Sequence, residues 1–109
     1  MKCSVYIHET KITECDLAPS DASMGVAHSK IHTGDDAQGF ANLLIENGAK
    51  KTDGILDLLK THGLRVLDER ENPIPSVGSS LMFCQEINQA ELDVYGIDHE
   101  YYRKHFPIV

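Results

Sequence analysis

The sequence predicts an α+β fold: one layer of mostly antiparallel sheet, about four strands, with a helical pair on one face and a short C-terminal helix. Three observations lead there. Residues 2–9 alternate apolar and polar, as a half-buried strand does. Residues 33–67 carry helix-like apolar spacing with start and stop signals. The predicted element order is not a repeating strand–helix alternation, which favours helices gathered on one side of an antiparallel sheet.

Taken in order, Cys3, Val5 and Ile7 share one face of the first strand, with Ser4, Tyr6 and His8 on the other. Residues 12–15 extend that strand or form a second, and LAPSDAS then reads as loop from its Pro, Ser and Asp content. Residues 24–33 (MGVAHSKIHT) read as a further strand. A first helix is expected over about 35–47, capped by Asp35 with Gln38 in a capping-box position, or by Thr33 with Asp36 one step earlier. Ala37, Phe40, Ala41, Leu44 and Ile45 supply its apolar stripe, and Asn47 and Gly48 end it.

A second helix is expected over about 53–62, capped by Thr52 or Asp53, carrying Ile55, Leu56, Leu58 and Leu59, and closed by Gly63. A strand follows from Leu64 to about Glu69. ENPIPSVG must be loop, because Pro73 and Pro75 lack N–H groups. SSLMFCQEI resumes a strand, with Leu81, Phe83 and Ile87 on one face. Asn88 with Glu91 repeats the capping-box pattern and suggests a short helix over 89–95, although Leu92 and Val94 also alternate as a returning hairpin strand would. Asp98 caps a last helix, HEYYRKHF, stopped by Pro107.

At 109 residues the chain is one domain with one core. No apolar run of signal-peptide or spanning length is present, so no membrane is expected and the cytoplasm is the default location. Cys3, Cys15 and Cys84 are odd in number and form no CxxC, which predicts three reduced thiols rather than a disulfide framework or a zinc site.

Net charge is −7, and its location narrows the function. Between Asp68 and Glu100 eight acids face one base, Arg70, while the rest of the chain balances. That excess repels phosphate and disfavours direct nucleic-acid binding. It suits a basic protein partner, which Asp68, Glu69, Glu71, Glu91, Asp93, Asp98 and Glu100 would steer, with Tyr95, Tyr101 and Tyr102 adding contact area.

In size and charge the chain resembles, in kind only, the immunity or inhibitor proteins that neutralise nuclease-type toxins, whose active sites must be positive to hold phosphate. The alternative is a small metal-dependent enzyme or ligand-binding domain using His8, His28 and His32 with Asp35. His28 and His32 would stand about 13 Å apart on a strand, too far to chelate alone. No nucleophile elbow or phosphate loop is present around Ser79, Ser80, Gly34 or Gly39. No catalytic residue, cofactor or metal is therefore assigned, and a homodimer pairing its sheet edges remains compatible with the pattern.

Overall fold

The computed structural model describes residues 1–33, 36–59 and 62–106, with the backbone alone at His32. Among them are nine strands and two α-helices. The strands are β1 (Lys2–Ile7), β2 (Thr10–Asp16), β3 (Ala18–Asp21), β4 (Val26–His32), β5 (Lys50–Thr52), β6 (Ile55–Leu59), β7 (Leu64–Leu67), β8 (Gly78–Cys84) and β9 (Gln89–Tyr95); the helices are α1 (Ala37–Glu46) and α2 (His99–His105). They form two antiparallel sheets, β2-β1-β7 and β3-β4-β9-β8-β6-β5. The expected single layer with a helical pair is therefore wrong.

Two segments account for the difference. Residues 53–59 are not a second helix: Asp53 and Gly54 both have positive φ, 52° and 80°, and join β5 to β6 as a two-residue hairpin. Two left-handed residues in a row are the type I′ turn that Asp-Gly favours, and its twist matches the flanking strands. Beyond it Leu56 and Leu58 are buried while Ile55 and Leu59 face out. Burying each leucine contributes about 1.5–3 kcal/mol, which the alternation secures. Residues 60 and 61, the end of the expected helix, lie outside the described residues.

Residues 89–95 are likewise strand, bonded to β8 on one side and β4 on the other. Ala90, Leu92 and Val94 are buried with period two. Asn88, expected to cap a helix, instead takes a left-handed conformation (φ 50°) after a 3-10 turn, Gln85–Ile87, and so turns the chain back into the hairpin. That turn also leaves Ile87 66% exposed, off the face it was expected to share with Leu81 and Phe83.

Other expectations match. β1, β4 and β8 lie where strands were expected, residues 72–77 form no named strand, and Asp98 caps α2 by accepting from the Tyr101 N–H. The first helix starts at Ala37, capped by Asp36 accepting from Gly39 N–H; Asp35 is outside the described residues. The capping box expected between Asp35 and Gln38 therefore lies outside them as well, and the Gln38 amide donates to Asn42 Oδ1. LAPSDAS holds a short strand, β3, where a loop was expected. Leu17, almost fully buried, marks the corner at which the chain leaves β2 in one sheet and enters β3 in the other.

The core lies between the sheets. Cys3, Val5, Ile7, Leu64 and Val66 come from the small sheet, and Ala27, Ile31, Leu56, Leu58, Leu81, Phe83, Ala90, Leu92 and Val94 from one face of the large one. Phe40 of α1 packs edge-on against Phe83, with ring centroids 4.9 Å apart. Tyr102 and Phe106 of α2 are buried, and the Tyr102 hydroxyl donates to the Val26 carbonyl at 2.9 Å. The radius of gyration is 13.5 Å. Both edges of the large sheet are poor templates for pairing, since β3 contains Pro19 and β5 is three residues long with two lysines. Among the described residues no helix is long and apolar enough to cross a membrane.

Two glycines separate backbone conformation from crowding. Gly54 has open space where a Cβ would sit, whereas a Cβ on Gly25 (φ 64°) would fall 2.8 Å from the Ile97 carbonyl oxygen. Gly54→Ala is expected to cost only the left-handed penalty, about 1–2 kcal/mol, and Gly25→Ala about 3 kcal/mol or more because backbone must also move. Thermal unfolding of the two variants checks the order; equal losses would contradict the hairpin turn or the Gly25–Ile97 approach.

Candidate functional site

The seven acids and three tyrosines of the expected partner surface do not gather into one patch. They divide between the outward face of β9 and the region of the 68–72 turn and α2, and several are engaged inside the chain.

Asp68 is buried and organises the turn after β7. Its Oδ1 accepts from the Arg70 and Asn72 N–H groups at 2.9 and 3.0 Å, and its Oδ2 from the Tyr101 hydroxyl at 2.9 Å. Burial alone would raise the Asp68 carboxyl, but the donors from Asn72, Tyr101 and Arg70, with His105 nearby, outweigh it and hold the group below the usual carboxylate range. The same contact acts on Tyr101 in the other direction: burial, then the Asp68 carboxylate, pushes its phenol upward. Asp98 is occupied as the cap of α2. Glu69 and Glu71 are exposed on the turn, and Glu100 lies with Arg103 and Lys104 on α2. A cleft of about 560 Å³ opens here, yet Arg70, Lys104 and His105 line it beside Asp68 and Glu69. Its charge is mixed.

Glu91, Asp93 and Tyr95 do share a surface. In an antiparallel sheet, directly opposed residues point to the same side, so the register places them on the face of the large sheet turned away from the core. One cross-strand row reads Lys30, Glu91, Met82, Asp57, Lys50; the next reads Ala18, His28, Asp93, Ser80, Leu59. Five strands at ordinary spacing make the face about 19 Å wide. Of the outward side chains from β4, β6, β8 and β9 that are described, none is buried; Gly78 is covered by the Tyr95 ring. A Cβ on Gly78 would come 2.5 Å from the Tyr95 hydroxyl oxygen, so glycine is what allows the ring to lie flat there.

This face combines charge with apolar area. Ile55, Leu59 and Tyr95 are 40%, 36% and 39% exposed. His28 Nδ1 lies 2.8 Å from Asp93 Oδ1. Asp57 Oδ1 is enclosed and has no hydrogen-bond partner among the described residues. The helical reading of residues 53–62 hid Asp57, although the Asp-Gly pair before it was the available signal for a hairpin and therefore for its outward placement.

The histidines of the alternative reading are apart. His8 sits on the β1–β2 turn of the small sheet, its ring packed over Gly63, and His28 is on β4 of the large sheet. The His32 side chain and Asp35 are outside the described residues. Among the described residues no group of three or more His, Cys, Asp or Glu is placed to hold a metal ion.

Compared with known protein families, with curated proteins and with solved structures, the chain matches none.

The Asp68–Tyr101 contact has a measurable acid signature. A carboxyl held low in the folded state stabilises above its unfolded value, about 3.9, and that stability is lost as pH falls through the folded value. Asp68→Ala is expected to cost about 2–3 kcal/mol at neutral pH by orphaning its donors. Asp68→Asn is expected to flatten the fall in stability between about pH 4 and pH 2, measured by urea unfolding across pH; an unchanged acid limb would contradict the assignment.

Proposed function

We propose that this chain is a protein-binding module that docks a partner rich in lysine or arginine on the outward face of its large sheet. The observation that carries the reading is the Asp57 carboxylate on that outward face, one oxygen enclosed with no donor among the described residues, flanked along β6 by the exposed Ile55 and Leu59 and sharing its side of the sheet with Glu91, Asp93 and Tyr95. An enclosed, unpaired acceptor costs about 1–3 kcal/mol; a guanidinium or ammonium supplied by a partner would recover it. Surrounding apolar side chains would exclude water from that contact, as interface centres do.

The charge of the whole chain supports the same reading. At −7 it attracts a basic protein from solution, and Glu69, Glu71 and Glu100, exposed away from the sheet face, contribute to that attraction without making the contact. Within this class, the reading we favour is an immunity or inhibitor protein acting on a nuclease-type toxin, since a surface evolved to hold phosphate presents the cations that Asp57, Glu91 and Asp93 would take up. On this reading Asp68 and Asp98 are structural, and the partner-binding set becomes Asp57, Glu91, Asp93 and Tyr95.

Immobilised wild-type chain is compared with the Asp57→Asn/Glu91→Gln/Asp93→Asn triple variant and with Glu69→Gln/Glu71→Gln, each offered an extract of the producing cell at low and at high salt. Wild type is expected to retain a basic protein at low salt, the triple variant about ten-fold less or lower, and the turn variant nearly as much as wild type. Retention indifferent to salt, or equal for wild type and triple variant, would remove the reading. Nuclease activity of the released partner, inhibited again on adding the chain, is the result expected of the inhibitor form.

A further inference from the structure

Cys3 and Cys15 lie twelve residues apart, with nothing in their spacing to pair them, yet the register of β1 and β2 sets them directly opposite one another. Their sulfurs are 3.2 Å apart. Two positions along the ladder, Met1 and Leu17 exchange both backbone hydrogen bonds, Met1 N to Leu17 O at 2.7 Å and Leu17 N to Met1 O at 2.8 Å. Continuing the alternation makes Cys3 and Cys15 a pair of the same kind, with Cα atoms about 5.5 Å apart, inside the range that a disulfide spans without backbone movement.

The two thiols are not equivalent. Cys3 is 2% exposed, packed in the core, whereas Cys15 is half-buried on β2, the outer strand of the small sheet. The contact with the Cys3 sulfur, followed by contributions from the Ser29 hydroxyl and the N-terminal ammonium, holds Cys15 below the ordinary thiol value against the opposing effect of burial. Cys3 is pushed the other way, first by that same contact and then by burial. One sulfur is thus the accessible nucleophile and the other the buried partner that resolves, the division of labour that thiol–disulfide exchange needs.

We propose that Cys3 and Cys15 form a redox-active dithiol that is reversibly oxidised by low-molecular-weight disulfides. Cys15, having released its proton, attacks one sulfur of the small disulfide. The S–S bond breaks, a mixed disulfide forms on Cys15, and the first small thiolate leaves and takes up a proton. Cys3 then loses its proton and attacks the Cys15 sulfur, closing the Cys3–Cys15 bond and expelling the second small thiol. Two electrons pass from the protein sulfurs to the small disulfide, which leaves as two thiols. Cys84, on the outward face of the large sheet opposite Ile55 and Gln89, takes no part.

The test treats purified chain with oxidised glutathione, quenches with an alkylating reagent and reads intact mass and fragment maps. Wild type is expected to lose two hydrogens, to show a Cys3–Cys15 link and to keep one alkylatable thiol, Cys84; excess reduced glutathione should restore all three. Cys84→Ser should oxidise as wild type does. Cys3→Ser should stop at a glutathione adduct on Cys15, and Cys15→Ser should form no intramolecular bond. Circular dichroism of each variant confirms that it is folded. Glutathione adducts without the Cys3–Cys15 link in wild type, or a link that requires Cys84, would overturn the proposal.

Discussion

Strand β9 is bonded along both edges, to β8 and to β4, and its two-residue period decides which side chains the molecule hides and which it offers. With the observed register, Ala90, Leu92 and Val94 meet Phe83, Leu81 and Ser79 on one side and Ile31, Ser29 and Ala27 on the other. A slip of one residue would send those apolar side chains to solvent and drive Glu91 and Asp93 into the core, a change that burial alone forbids. The same constraint therefore builds the core and the outward face. Both sheets close around it: β6 continues the ladder beyond β8, and the small sheet packs its Cys3, Val5 and Ile7 over the covered side.

The chain's excess of acids is not one device. Asp68 spends both oxygens on the turn and on Tyr101, Asp98 starts α2, and Asp36 starts α1. What is left for a partner is smaller and better placed than the linear count of charges suggested. On the large sheet, acids alternate with Lys30 and Lys50 and with exposed apolar side chains, so recognition there would depend on geometry as well as on attraction. Charge in the sequence speaks to encounter, whereas the register speaks to contact.

Much of this was legible from sequence. Alternation in KCSVYI and GSSLMFC and the β-compatible residues of VAHSKIH located three strands, and Asp98 before HEYYRKH located the last helix. The errors came where periods two and 3.6 coincide. Ile55, Leu56, Leu58 and Leu59 satisfy helical spacing, but Leu56 and Leu58 alone satisfy the strand, and Asp53-Gly54 decided between them through its backbone rather than its polarity. Asn88 and Glu91 imitate a capping box, yet Asn88 serves as a left-handed turn residue. Of the expected surface, Glu91, Asp93 and Tyr95 share one side of a strand, a grouping that the alternation of Leu92 and Val94 implies and the helical reading of residues 89–95 does not. Asp57 was missed with its hairpin. The Cys3–Cys15 pair could not be read at all, since cross-strand pairing is a property of register and not of spacing.

The most direct measurement is the pattern of cross-strand proton contacts of β9 in the NMR spectrum of the uniformly labelled chain. The account predicts Leu92 between Leu81 and Ser29, and Glu91 between Met82 and Lys30, with strand-like carbon shifts through residues 55–59 and 89–95. Contacts displaced by one residue, or helical shifts in either segment, would contradict it, because the core, the docking face and the opposition of the strands would then no longer follow from one ladder.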